Sequence, residues 1–461
     1  MAAEADAHGG QAGLRVWRSR IAVLHRLRSH AVRRLSWGVA DQAASSLTNL
    51  AVSLYLVRTL GAAQFGAFSL AYVSYGFALN ASRGLATDPL LVRFSATDVA
   101  TWRRAVTSCT GTAVAVGLAT GACALAAAAV LSGTTREAFL ALGITLPGLM
   151  LQDSWRYSFF ALGRGSWAFV NDTIWALVML PALVLLRVTG HADVFWFVLA
   201  WGAAACVAAA AGSLQARAVP KLSGTGGWLK RHRDLGPRYF AEGATSSAAP
   251  QLRTYGIGLI LGLAAVGYVQ AAGTVMGPVT VLFLGMSLVA IPEAARVLHR
   301  SPRRLPLFCV LLSGGLTAAA LAWGVLLLIA LPRGLGDLVL GRVWRLTYPL
   351  VLPLAFFFVC QGVAGGASAG LHALGAARRS LRSIIVTSVA LVGFSLAGAV
   401  TGGVVGAMRG TAVAGVVGAL ATWWQFRAAL RESGHVITGR RRWTGRPAGR
   451  HRRARPGPGQ P

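Results

Sequence analysis

Uncharged apolar runs of roughly 20 residues recur along almost the whole chain, and most of the charge falls between and beyond them. At 1.5 Å per residue such a run spans a hydrocarbon core of about 30 Å. The pattern predicts twelve helices, over 36–57, 64–86, 105–131, 138–162, 168–189, 193–214, 238–261, 264–291, 305–330, 345–371, 383–402 and 404–426. The expected fold class is an all-α polytopic membrane protein.

Composition supports the bilayer as solvent. Only 13% of the 461 residues are charged, about half the share in a soluble domain. The chain is 55% hydrophobic, holds 56 glycines and has a mean hydropathy of +0.58. Three soluble domains of ordinary size are therefore excluded.

The 44 Lys and Arg against 14 Asp and Glu give a formal charge of +30, which in a soluble protein points to nucleic acid. Here the basic residues sit in connections, as loops facing a cytoplasm and an anionic leaflet require, and no nucleic-acid partner is expected. An even number of spans puts both termini on one side. Assigning that side to the cytoplasm collects 36 of the 44 basic residues there. The expected organisation is a basic cytoplasmic segment 1–35, an N-lobe 36–214, a basic cytoplasmic linker 215–237, a C-lobe 238–426 and a basic disordered tail 427–461. Seven Arg precede the first apolar run and no short run ends in a cleavage site, so no cleaved signal peptide is expected. Cys109, Cys123, Cys206, Cys309 and Cys360 lie in apolar runs without metal-ligand spacing and read as small buried hydrophobes.

The chain also repeats. Aligning Asp41 with Glu242, at an offset of 201, superposes Ser45-Ser46 on Ser246-Ser247 and Leu60-Gly61 on Leu261-Gly262 without a gap. Seven identities fall in 26 positions. Six helices per repeat is an even number, so the two six-helix lobes share one orientation about an axis along the membrane normal, with a central cavity between them. That is an alternating-access architecture.

Ionisable residues inside spans cost about 2.5–3.5 kcal/mol each on insertion scales, so they mark cavities or partners. Asp41, Ser45 and Asn49 share one face of the first helix; Glu242 and Ser246 repeat part of it on the seventh. The two acids either couple transport to protons or sodium, or cap helices and pair with nearby Arg. Arg253 sits deeper in the seventh span, expected roughly 20 Å from either end. Its guanidinium suits a phosphate or diphosphate, with a salt bridge to a neighbouring helix as the competing account. On the fourth helix Gln152, Asp153, Arg156 and Tyr157 form a polar face, with Asp153 and Arg156 spaced to pair within the helix and Asp172 placed to join them. Arg83 precedes Asp88-Pro89, where proline is expected to stop the second helix; it either guides an anionic headgroup or anchors the interface. Glycines 362, 365, 366 and 370 mark close packing.

Walker A, HExxH and nucleophile-elbow sequences are missing, and no connection is long enough for a catalytic domain. Neither an enzyme nor a bound cofactor or metal is expected.

Trp37-Gly-Val-Ala-Asp41-Gln42-Ala-Ala-Ser45-Ser46-Leu-Thr-Asn49, Arg58-Thr-Leu-Gly61-Ala-Ala-Gln-Phe65-Gly66-Ala-Phe68 and Asp88-Pro89-Leu-Leu-Val-Arg93 resemble the first two helices of polysaccharide flippases of the multidrug/oligosaccharidyl-lipid/polysaccharide exporter superfamily. The resemblance covers about 60 residues; beyond them the chain agrees in hydropathy, helix count and repeat. It implies two six-helix lobes around a V-shaped cavity, export of an undecaprenyl-diphosphate-linked oligosaccharide from the cytoplasmic leaflet, and cavity arginines, for which Arg253 and Arg83 are the candidates. Drug exporters of the superfamily are similar in placing an acid on helix 1, which Asp41 matches.

The expected function is therefore a bacterial inner-membrane flippase for a lipid-linked saccharide. Arg253, Arg83, Asn49 and Arg156 would bind substrate, and Asp41, Glu242 and Asp153 would couple to protons or sodium. Membrane lipids and polysaccharide-assembly enzymes are the expected partners. A cation-coupled drug or metabolite exporter and a non-transporting scaffold are the alternatives.

Overall fold

The computed structural model describes residues 45–95 and 97–443, without the side chains of Glu242, Ser246, Ser287, Leu288 and 433–443. Asp41 lies outside the described residues. Every regular element among them is helical. They are α1 (45–60), α2 (62–94), α3 (Val99–Val130), α4 (Gly133–Ala161), α5 (Gly165–Val188), α6 (Val194–Ala216), a short α7 (Thr225–Arg231), α8 (Gly236–Leu261), α9 (Leu263–Val275), α10 (Gly277–Arg300), α11 (Leu305–Ala330), a short α12 (Gly336–Leu340), α13 (Trp344–Ala373), α14 (377–402) and α15 (403–443). Seven helical stretches are long and apolar enough to cross a membrane, some holding two helices in succession. The chain is a multi-pass membrane protein.

Breaks fall where glycine allows a backbone that L side chains avoid. Gly61 (φ 74°) and Gly262 (φ 83°) separate α1 from α2 and α8 from α9, and Gly403 (φ 61°) separates α14 from α15. Aspartates satisfy orphan amides at two helix starts. Asp98 accepts from the Ala100 and Thr101 amides at 3.0 Å, and Asp193 from Trp196 at 3.1 Å.

The offset of 201 reappears in space as a reciprocal contact. A Cβ at Gly66 would lie 1.9 Å from the Leu263 carbonyl oxygen, and one at Gly267 would lie 2.0 Å from that of Ala62. Since 66 matches 267 and 62 matches 263, each hairpin presses the same glycine against the same carbonyl of the other. From this hairpin end α2 and α8 run side by side. Asn80 donates to Ser247 at 2.8 Å, the Ser74 and Tyr255 hydroxyls touch, and a Cβ at Gly84 would lie 2.4 Å from the Phe240 nitrogen. The seam thus extends to the opposite end, where the linker lies.

In the first half, Trp201 of α6 packs among Phe68, Tyr72, Tyr75 and Trp175. In the second, the glycine stripe of α13 brings backbones together: a Cβ at Gly366 would lie 1.9 Å from the Cys309 carbonyl oxygen of α11. Ser313 fills that contact, donating to Val363 O at 2.8 Å and accepting from Gly366 N at 3.0 Å.

Two expectations are corrected. Proline does not stop the second helix. The Asp88 amide closes a π-helical turn, Arg83–Thr87, and Pro89 occupies the next turn, where its missing N–H goes unused. The released carbonyls find side chains: Trp228 Nε1 donates to Leu85 O at 3.1 Å, and Cys109 Sγ to Ala86 O at 3.3 Å. That Trp228 belongs to α7, within the segment 215–237. The tail does not begin at residue 427; the helix continues to Trp443, tied back by Arg379, which donates to Glu432 and to Gln425 Oε1 at 3.0 Å.

His232 ends α7, its ring 4.0 Å from that of Trp228 and near Phe94. Burial pushes its imidazole below the ordinary value; the bond to the Trp228 carbonyl opposes this, while Arg93 and Arg231 reinforce it. An undocked His232 binds its proton more readily than the docked one, so docking weakens as pH falls through about 6.5. Between pH 7 and 5 the wild type should lose melting stability relative to His232→Phe. For the hairpins, Gly66→Ala and Gly267→Ala should each cost about 1–3 kcal/mol through forced backbone shifts. The double variant should cost less than the sum, because either change opens the same seam; additive losses would contradict a shared contact.

Candidate functional site

Arg83 leaves α2 at the first residue of the π turn, aimed at α4. Its Nε and Nη2 donate to Asp153 Oδ2 and Oδ1 at 3.0 and 2.7 Å, a two-pronged pair, and its guanidinium carbon sits 4.7 Å above the Tyr157 ring. Asp153 is 5% exposed and Arg83 28%, so the carboxylate is sealed while the cation keeps one open face.

Beneath this pair lies a second. Arg156 Nε stands 3.2 Å from Asp172 Oδ2 on α5, while Gln152 Nε2 donates to Asp172 Oδ1 at 2.9 Å. Asn171 donates to the Ala208 carbonyl of α6 at 2.7 Å and to Gln215 Oε1 at 3.3 Å. Two cations and two carboxylates thereby knit α2, α4, α5 and α6 into a neutral network, the form in which buried charge is tolerated.

Where a pair of Asp153 with Arg156 inside α4 was expected, Asp153 pairs with Arg83 and Arg156 with Asp172. Arg83 offers both carboxylate oxygens a parallel donor, which a neighbour three residues away on the same helix cannot, and Asp172 takes Arg156 instead. Asp172 joins the polar face as the sequence indicates. Asn49 lines a small cavity of about 190 Å³ between α1 and α5, with Ser45 and Asp172 on its walls. Glu242 lies in the first two turns of α8; its side chain is outside the described residues.

Arg253 is differently placed. Counted along α8 it lies about 12 Å from Leu261 and about 7 Å from the helix midpoint, on the hairpin side. Its Nη1 donates to Thr411 Oγ1 of α15 at 3.3 Å, and that hydroxyl meets Ser395 Oγ of α14 at 2.8 Å. Its Nε is buried without a hydrogen-bond partner, and none of the ion pairs among the described residues includes it. The interhelical salt bridge weighed for it is absent among those residues. Arg83 and Arg156 come together in one network; Arg253 stands apart in the second half.

Sequence reading did not single out Ser74, Asn80 and Tyr255, which join α2 to α8. Asn80, a lone amide within a span, carried the signal. Trp228 and His232 left none, because their role depends on a π turn.

Replacing Arg83 by Met should destabilise the protein by about 3 kcal/mol, since it strands a buried carboxylate. Arg83→Met with Asp153→Leu should restore most of that loss in a thermal melt, because an apolar pair leaves no charge unpaired.

No protein-family model matches the chain, and no curated protein does. Solved structures do. A multidrug resistance MATE family transporter of the MOP superfamily, in an inward-facing conformation, superposes with a TM-score of 0.65 at 15% identity, over 84% of this chain and 95% of that one. The lipid II flippase MurJ in an inward closed conformation gives 0.64 at 10% identity, over 90% and 94%. A MOP superfamily transporter from Pyrococcus furiosus gives 0.55 at 16% identity, over 87% and 95%. These neighbours are transporters, not enzymes, and the chain has the fold of the MOP superfamily of membrane transporters.

Proposed function

We propose that this protein is an alternating-access transporter that flips a lipid-linked oligosaccharide across a bacterial inner membrane for cell-surface polysaccharide assembly. The observation that carries the reading is Arg253, a guanidinium inside the bundle with a hydroxyl neighbour and no carboxylate among the described residues. A permanent cation in such a place is costly, and a diphosphate supplies the missing charge in a shape the planar fork matches.

In this proposal the N-lobe (36–214) and C-lobe (238–426), joined by the linker 215–237, rock about the hairpin seam, and both termini are cytoplasmic. Arg253 binds the diphosphate; Arg83, Arg156 and Asn49 line the substrate path. Asp41, Glu242 and Asp153 exchange protons or sodium. The Arg83–Asp153 pair supports a specific form of coupling. Protonating Asp153 cancels its hold on Arg83 and frees two donors for an anionic headgroup; losing the proton reclaims them. Substrate and ion then compete for one guanidinium, which gives each a different affinity for the two states, as coupled transport requires. Membrane lipids and polysaccharide-assembly enzymes are the proposed partners.

A second reading, a cation-coupled drug or metabolite exporter, is favoured by the likeness to the multidrug transporter and by the carboxylate-walled cavity at Asp172. It needs no anion site, so Arg253 discriminates between the two.

The test is reconstitution into liposomes with a fluorescent polyprenyl-diphosphate saccharide. Wild type should move the headgroup across the bilayer, and Arg253→Ala should slow it by about 10–100-fold, the worth of a charge-assisted contact. Equal rates would remove Arg253 from the mechanism. A wild type that moves an organic cation under a proton or sodium gradient, and not the saccharide, would replace this reading with the second.

A further inference from the structure

A cavity of about 390 Å³ lies within the second half, lined by α10, α11, α13, α14 and α15. That volume is in the range of small-molecule sites, about 300–1,000 Å³. Its described walls carry no charged side chain, yet they are densely hydroxylated, with Ser383, Thr387 and Thr422 among them. In a membrane bundle such groups would ordinarily be spent on helix contacts.

The direction of their hydrogen bonds shows what they offer. Ser383 donates to the Ser380 carbonyl, Thr387 to that of Ser383 and Thr422 to that of Gly418, each at 2.8 Å. Every one of these protons is committed to its own helix. The hydroxyl oxygens keep lone pairs, so they serve an occupant as acceptors. Gln361 adds an amide that can both donate and accept. On the remaining wall, Phe283 and Phe358 meet edge to face, with ring centres 6.2 Å apart.

An occupant matched to these walls has many O–H donors, no net charge, and an apolar flat face to lay on an aromatic ring. Phosphate and carboxylate find no cation here, and a metal ion finds no anionic ligand among the described residues. A purely apolar chain would leave the acceptors and the amide unpaired. A pyranose ring meets all three requirements: hydroxyls on its rim, C–H bonds on its faces, and neutrality.

We infer that this cavity is a neutral saccharide subsite. Its position agrees with the anion site. Thr387 and Ser395 lie on the same helix about 12 Å apart by rise per residue, and Ser395 contacts the Thr411 hydroxyl that Arg253 holds. A glycan carried by a diphosphate at Arg253 has about 12 Å of α14 to cover to Thr387. This deepens the flippase reading and rests on it for what the sugar is attached to; the cavity chemistry stands independently.

The test uses full-length protein in nanodiscs and three probes: undecaprenyl diphosphate, the same lipid carrying one N-acetylglucosamine, and octyl glucoside below its micellar concentration. Wild type should bind the sugar-bearing lipid about tenfold more tightly than the bare one, the worth of one or two hydrogen bonds. Gln361→Leu/Thr387→Val should erase that preference while leaving the melting midpoint and the affinity for the bare lipid unchanged. Phe358→Ala should weaken octyl glucoside and spare the bare lipid. A preference that survives in the double variant, or is absent from the wild type, overturns the inference. If the wild type binds neither lipid, the flippase reading fails and octyl glucoside decides alone: binding lost in the double variant upholds the subsite, and equal binding in both proteins refutes it.

Discussion

Hydrocarbon offers no water, so each polar group within the bundle must find its partner in the protein or in what the protein carries. Much of this architecture follows from that requirement. The carbonyls released by the π turn of α2 are taken up by Trp228 and Cys109, and Ser313 bridges two backbone groups where α11 and α13 touch. Asn171 reaches the α6 backbone. Helices that would otherwise slide past each other are fixed in register by these few contacts.

The same requirement divides the arginines into two kinds. Arg83 and Arg156 are answered by Asp153 and Asp172, in geometry good enough to offset much of their desolvation. Arg253 is answered by a threonine hydroxyl. The proposed coupling uses the neutralised pair, and the proposed anion binding uses the cation that has no carboxylate partner among the described residues. One half of the chain thus pairs buried opposed charges, and the other holds Arg253 and, separately, a cavity of neutral hydroxyls. The division of labour is between chemistries as well as between positions.

How far the sequence disclosed this depended on the range of the cause. The all-helical membrane character, the break near residue 403 and the glycine stripe of α13 were legible, because hydropathy and small-residue spacing act locally. The repeat was legible because two glycine turns must recur at one spacing. Asp153 and Arg156 were recognisable as buried charge, but their partners were not: spacing along one helix suggested an internal pair, and the choice of Arg83 depends on a π turn that rotates α2 by a fraction of a turn. The continuation past Pro89 was hidden for the same reason. The cavity in the second half was not legible at all, since serines and threonines on four helices have no common pattern until the helices are packed.

The reciprocal contact of Gly66 and Gly267 bears on how a chain of this kind can be lopsided. Two separate copies meeting across a twofold would show every side chain to the axis twice. Joined in one polypeptide, the two glycines keep the symmetric joint while other positions of the repeat are released from it. At the offset of 201 the counterpart of Arg253 is Val52, buried in the main apolar cluster. Covalent fusion therefore lets Arg253, which forms no ion pair among the described residues, occupy one side of a twofold frame, where a true homodimer would have brought two like charges into the same membrane.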